Sequence, residues 1–122
     1  MADTELLRML AAEAERRGPT IISGIEQLAA SGDKNSDRIE ELRVEAHGLK
    51  GAALVVGQDR LADLARLIEQ YLAGCVEEGQ IDTSSAAAVI TATSAFTEGA
   101  EAAAEGVGEP SSVRDCLSAL KT

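Results

Sequence analysis

The sequence is poor in aromatic side chains, with no tryptophan, one tyrosine and one phenylalanine among 122 residues. A buried core therefore has to be built mainly from Leu, Ile, Val and Ala, which supply most of the 45% apolar content. Such a core favours helices packed on helices over a sandwich of β-sheets. The length suits one domain with one core.

Positive charge is also scarce: 11 Lys and Arg stand against 21 Asp and Glu, which gives a net charge of −10. A field of this sign repels nucleic acid and anionic lipid, so we expect neither as a partner. No window approaches the roughly 20 apolar residues of a membrane span. The first five residues contain no basic, signal-like segment. We therefore expect a cytoplasmic protein that does not contact a membrane.

Cysteine is limited to Cys75 and Cys116, which are far apart in sequence and form no CxxC motif. Both fall on the apolar stripe of a predicted helix, so we expect two small buried side chains. A disulfide between them is the alternative, and it is disfavoured in a cytosolic protein.

Apolar residues recur at spacings of three and four along five segments, which indicates an all-α protein. The pattern predicts helices over residues 4–31, 36–56, 59–78, 84–105 and 111–120. Gly18-Pro19 interrupts the first segment, but its stripe keeps phase, which favours one bent helix over two separate ones. Short connections between long helices imply antiparallel neighbours. We therefore predict one domain over residues 1–122, an up-down-up-down four-helix bundle with a fifth helix attached.

Histidine occurs only once, as His47 in the second predicted helix. Lys50 and Gly51 follow three and four residues later and share its helix face. A lysine beside the imidazole favours the neutral, nucleophilic ring and would stabilise an attached phosphoryl group. Gly48 and Gly51 each cost about 1 kcal/mol in a helix relative to alanine. Two such glycines suggest that another group approaches this face closely.

Other uses of a lone histidine require partners that the sequence does not mark. A metal site needs three or four ligands, and Arg43 and Lys50 flank the histidine with positive charge, so no metal is expected. A Ser–His or Cys–His pair needs an activated nucleophile and an oxyanion pocket, and neither is marked. A purely structural histidine at a helix edge stays open as an alternative.

A longer pattern surrounds the histidine. It consists of His47-Gly48-Leu49-Lys50-Gly51, then Gly57 at a helix end, then a Leu-rich helix from Leu61 to Leu72. This pattern resembles the signature of the histidine-containing phosphotransfer (HPt) family. It is similar in particular to the N-terminal phosphotransfer domain of CheA-type chemotaxis histidine kinases, where a glutamate on the next helix holds the far ring nitrogen. Glu69 matches that glutamate.

The resemblance implies that the chain carries a phosphoryl group in a two-component pathway without an ATP site of its own. His47 would be phosphorylated, Glu69 would fix its tautomer and Lys50 would neutralise the phosphoryl oxygens. Gly48 and Gly51 would leave room for the partner, and Arg43 and Arg66 would form a local basic docking spot with Lys50. Ordinary solvated helix charge stays open as the alternative for Arg43 and Arg66.

The implied partners are a histidine kinase catalytic domain and a response-regulator receiver domain. These partners would supply ATP and Mg²⁺, so no cofactor is expected on the chain itself. The domain could be free-standing or part of a larger CheA-type kinase. The alternative function is a helical interaction module that binds signalling partners without being phosphorylated.

Overall fold

The computed structural model describes residues 3–121, so Met1, Ala2 and Thr122 at the ends of the predicted domain lie outside the described residues. Five helices and no strand occur over residues 3–121. They are α1 (Thr4–Ser31), α2 (Ser36–Val55), α3 (Asp59–Glu78), α4 (Ala86–Glu105) and α5 (Ser111–Lys121). The predicted all-α class is confirmed, and each predicted helix end lies within two residues of the observed one.

The helices form a bundle in which α2 packs beside α1 and α3, and α4 packs beside the same two helices. Within residues 3–121 the diagonal pairs, α1 with α3 and α2 with α4, do not approach each other closely. The fifth helix, α5, lies against α3 and α4. This is the predicted four-helix bundle with an additional C-terminal helix. Its centre consists of aliphatic side chains and one aromatic ring; the largest fully buried ones are Leu10, Ile21, Ile25, Ile39, Leu42, Leu49, Leu64, Ile68, Leu72, Val89, Phe96 and Val113.

The first helix runs without a break through Gly18 and Pro19, as predicted. Pro19 lies at the surface. Proline has no backbone N–H, so the carbonyl one turn earlier has no helical donor, and this carbonyl is on the solvent side of the bundle. Gly18 is buried against α4, and a Cβ there would lie 2.9 Å from Thr97 Oγ1. Thr97 can donate a hydrogen bond of 3.4 Å to the Ala14 carbonyl one turn before the proline. Close packing on α4 therefore supports the helix at its weakest point.

The fourth helix begins two residues later than predicted because the preceding residues form a turn. The Asp82 carboxylate accepts hydrogen bonds from the Ser84 backbone N–H at 3.0 Å and from Ser84 Oγ at 2.6 Å. Such a side-chain turn competes with helix formation at the same residues. These hydrogen bonds also hold the pKa of Asp82 below its usual value.

The remaining global predictions concern cysteine and membrane spans. Cys75 and Cys116 are both buried and unbridged, as expected for small apolar side chains. Over residues 3–121 no helix has the length and apolar character that crossing a bilayer requires.

Candidate functional site

The single histidine lies near the middle of α2, just outside the buried face of that helix. Its neighbours Ala46 and Leu49 are fully buried, whereas the His47 side chain is 61% exposed. Its Nδ1 lies 3.0 Å from Glu69 Oε2 on α3. Among residues 3–121 no group forms a hydrogen bond with Nε2. Because a carboxylate can only accept, the neutral ring carries its proton on Nδ1 and presents the Nε2 lone pair to solvent.

Glu69 is the centre of the charged cluster around this imidazole. Its side chain is only 13% exposed, although it carries a negative charge. Besides the histidine, Arg43 Nη1 donates to Oε2 at 2.9 Å and Lys50 Nζ lies 2.9 Å from Oε1. The lysine contact is an ion pair. One carboxylate therefore joins three side chains of α2 to α3.

The protonation state of Glu69 follows from these contacts. Burial acts to raise the pKa of its carboxyl group, but the contacts with Lys50 and His47 oppose this, and the pKa falls below the usual value. Glu69 is therefore ionised near neutral pH and can accept the Nδ1 proton of His47 in a hydrogen bond. A carboxylate in this position orients an imidazole and raises the basicity of its other nitrogen.

Two predicted cations occupy different environments. Arg43 bridges Glu69 and Glu40, with distances to the Glu40 carboxylate of 2.6–3.0 Å, so it belongs to the histidine cluster. Arg66 lies 3.8 Å from Asp63 and contacts neither His47 nor Glu69. It lines a shallow groove between α2 and α3 that Lys50 also lines. The structure thus brings Arg43 and Lys50 to the histidine and places Arg66 at the edge of the site.

The outward face of α2 around the histidine carries exposed apolar side chains. Val44, Leu54 and Val55 are exposed, with 77% of Val55 accessible to solvent. Their spacings from His47 and Gly51 place all five residues on the same side of the helix. A Cβ at Gly51 would meet nothing within 4 Å, so the surface here is open. An apolar face of this kind favours a protein partner.

At Gly48 the close approach comes from within the domain instead. A Cβ at this position would lie 2.5 Å from the guanidinium of Arg17 on α1. Arg17 Nε donates to Glu13 at 2.8 Å and its Nη1 donates to Glu45 on α2 at 2.7 Å. A side chain of the same domain, Arg17, therefore lies against Gly48, and the approach of a partner at this glycine stays a prediction.

The sequence analysis missed Arg17, although a signal was present. It stands three residues after Ala14 and four before Ile21, where the apolar stripe of α1 calls for an aliphatic side chain. A charged residue at such a position requires a partner, and Glu45 on the neighbouring helix supplies it. Neither residue belongs to the motif around the histidine, so motif matching alone could not identify the pair.

The cluster can do one type of chemistry well, because it presents an oriented, exposed imidazole nitrogen with cations beside it. No curated protein matches this sequence. The sequence model of the Hpt domain family matches residues 5–122, which is nearly the whole chain. Members of this family are phosphotransfer modules of two-component signalling rather than enzymes in their own right, and they interact with histidine kinases and receiver domains. The chain belongs to the Hpt domain family.

Proposed function

We propose that the protein carries a phosphoryl group on Nε2 of His47, taking it from a histidine kinase domain or a receiver domain and passing it to a receiver aspartate. The observation that carries this proposal is the pairing of an exposed imidazole with a carboxylate that is nearly buried. His47 is 61% exposed and Glu69 is 13% exposed, with 3.0 Å between Nδ1 and Oε2. A histidine with a purely structural role has no need for this orientation.

The transfer step follows from the tautomer. The lone pair of Nε2 attacks phosphorus and forms the P–N bond, while the P–O bond to the donor breaks and its electron pair leaves on the donor oxygen. The donor is either ATP held by a kinase domain or an aspartyl phosphate of a receiver domain. The leaving group is ADP in the first case and the aspartate carboxylate in the second. The ring becomes positively charged, and its Nδ1 proton stays in the hydrogen bond to Glu69, which stabilises that charge.

The other residues have supporting roles in this proposal. Lys50 stands beside the imidazole and offsets negative charge on the phosphoryl oxygens, releasing Glu69 in part to do so. Arg43 holds Glu69 in place from the opposite side. Gly51 leaves the surface open for the partner, and Arg66 contributes positive charge at the edge of the partner's footprint.

Partner domains complete the reaction. ATP and Mg²⁺ are supplied by the kinase, and the receiver contributes its acceptor aspartate with Mg²⁺. The exposed Val44, Leu54 and Val55 provide the apolar contact area for docking around the histidine. The domain acts either as a free-standing relay protein or as the phosphotransfer domain of a larger CheA-type kinase, in both cases in the cytoplasm.

A labelling experiment tests the proposal. The domain is incubated with a cognate kinase domain and [γ-³²P]ATP, and the product is divided between acid and base. We expect label that is lost in acid and retained in base, as a phosphoramidate bond requires, and no label on the His47→Gln variant. Label of unchanged amount on that variant would refute the assignment.

The same reagents distinguish the alternative function. An interaction module would bind kinase or receiver domains with equal affinity in wild-type and His47→Gln forms while accepting no label. The exposed apolar face of α2 is compatible with such binding, so affinity and labelling have to be measured on the same variants. If the wild-type domain binds its partners but accepts no label, the protein is an interaction module and not a phosphoryl carrier.

A further inference from the structure

The positive charges nearest His47 on the α3 side are already engaged in ion pairs. Arg43 is paired with Glu40 and Glu69, and Lys50 is paired with Glu69. Their contacts hold the carboxylate that orients the imidazole. A phosphoryl group on Nε2 brings up to two further negative charges to this surface. Full neutralisation by Arg43 and Lys50 would therefore weaken the grip on Glu69.

Arg17 offers positive charge from the opposite side of α2. Its guanidinium lies against Gly48, the residue that follows His47 in the chain. Two of its nitrogens are bonded, Nε to Glu13 and Nη1 to Glu45, and among residues 3–121 no group bonds Nη2. The Arg17 side chain is 23% exposed, so part of it is accessible to solvent.

The glycine at position 48 makes this arrangement possible. A Cβ would stand 2.5 Å from both Cζ and Nη1 of Arg17, so a side chain here would require the guanidinium to move. Alanine would be the better helix former at an interior position. The sequence thus forgoes helix stability at the position where the guanidinium packs against α2.

From this arrangement we propose that Arg17 is a second phosphoryl-contacting residue, which donates from Nη2 to a phosphoryl oxygen on His47. It complements Lys50 by acting from the α1 side, so that Arg43 keeps Glu69 against Nδ1 while Lys50 releases this carboxylate only in part. Planar guanidinium groups suit phosphoryl oxygens particularly well. This proposal rests on the proposed function, since it names a further residue of the same site.

The test uses chemical phosphorylation, which needs no kinase. Phosphoramidate phosphorylates the exposed imidazole: Nε2 attacks phosphorus, the P–N bond of the reagent breaks and ammonia leaves. The ³¹P resonance of the product is then followed against pH in wild-type protein and in Arg17→Gln, Arg17→Lys and Arg16→Gln variants. Arg16 is the matched control, because it also pairs with Glu13 but is not in contact with Gly48.

A guanidinium in contact with the phosphoryl group stabilises its dianion and lowers the pH midpoint of its titration. We expect Arg17→Gln to raise that midpoint by about one pH unit, Arg17→Lys to restore part of the difference, and Arg16→Gln to leave it unchanged. Gly48→Ala, which keeps the arginine but displaces its guanidinium, should match Arg17→Gln.

An unchanged midpoint in both Arg17→Gln and Gly48→Ala would overturn the proposal, as would an equal shift in Arg16→Gln. Gly48→Ala retains the arginine and disturbs its position in a different way from Arg17→Gln. If one of these two variants is unstable, the other still tests the proposal. Failure of Arg17 is also distinguishable from failure of the proposed function. In the first case kinase labelling of His47 persists while the ³¹P midpoint does not respond to Arg17, and in the second the kinase adds no label at all.

Discussion

The contact between Arg17 and Gly48 predicts that the effect of Gly48→Ala on the free energy of unfolding depends on the residue at position 17. In a helix interior, alanine is more stable than glycine by about 1 kcal/mol. In the wild-type protein this gain is opposed, because the new Cβ would lie 2.5 Å from the Arg17 guanidinium and has to displace it.

The opposing cost comes from the ion pairs that the displaced guanidinium loses. Arg17 bonds Glu13 at 2.8 Å and Glu45 at 2.7 Å, and all three side chains are partly exposed. Partly exposed pairs of this kind contribute about 0.2–1 kcal/mol each. Loss of both pairs offsets about 0.4–2 kcal/mol, so the effect of Gly48→Ala on wild-type protein should lie between about 0.6 kcal/mol of stabilisation and about 1 kcal/mol of destabilisation. In an Arg17→Ala background the same substitution should stabilise by about 1 kcal/mol. The coupling free energy is then on the order of 1 kcal/mol.

Urea unfolding followed by circular dichroism at 222 nm measures the four free energies of this cycle, and it suits a chain without tryptophan. Gly51→Ala is the matched control, because a Cβ there meets nothing within 4 Å. It should stabilise both backgrounds equally, by about 1 kcal/mol. Equal stabilisation by Gly48→Ala in both backgrounds would refute the claim that the arginine and the glycine interlock.

Three further predictions concern the site and the core. Glu69→Ala should slow phosphorylation of His47 by about tenfold to a hundredfold, as for other carboxylates that orient a functional imidazole, while the helical spectrum is retained; an unchanged rate would remove Glu69 from the mechanism. The pKa of Glu69 is lowered on folding, so its contribution to stability is present above its usual pKa of 4.5 and is lost as the pH falls through the lower folded value. Wild-type protein should accordingly lose its advantage in unfolding free energy over Glu69→Gln as the pH falls below 4.5, and an advantage that grows in acid would contradict this sign. Gly99→Ala should destabilise the bundle by about 1–3 kcal/mol, because its Cβ would lie 2.7 Å from Leu61 and 3.0 Å from Val113 in α5. Thermal unfolding measures this loss. An unfolding midpoint equal to that of the wild-type protein would show that the surrounding side chains rearrange without cost and would contradict the prediction.

Most of the fold could be predicted from the sequence because the apolar spacing determines which face of each helix is buried. Even the continuity of α1 through Pro19 followed from the phase of its stripe. The start of α4 was less predictable, since the hydrogen bonds from Ser84 to Asp82 compete locally with the helix and leave no trace in apolar periodicity.

The residues of the candidate site were likewise only partly predictable from the sequence. His47, Lys50 and Glu69 could be named from spacing and from a family pattern, and in the structure His47 and Lys50 each contact the Glu69 carboxylate, at 3.0 Å and 2.9 Å. The position of Arg17 could not be named, because it depends on how α1 and α2 are aligned side by side. The sequence also singled out Gly48 as a position of close approach, but it could not indicate that Arg17 of the same chain lies against this glycine.

The central claim is that His47 carries a phosphoryl group onward, and a single-turnover transfer measures this most directly. Domain labelled with ³²P and purified from the kinase and ATP is mixed with a receiver domain and Mg²⁺, and label on each protein is followed in time. The account predicts that label leaves His47 and appears on the receiver in equal amount, much faster than it is lost from the domain alone. The account would be contradicted if, with every receiver domain of the same organism, the label left only as inorganic phosphate and no faster than it does without a receiver.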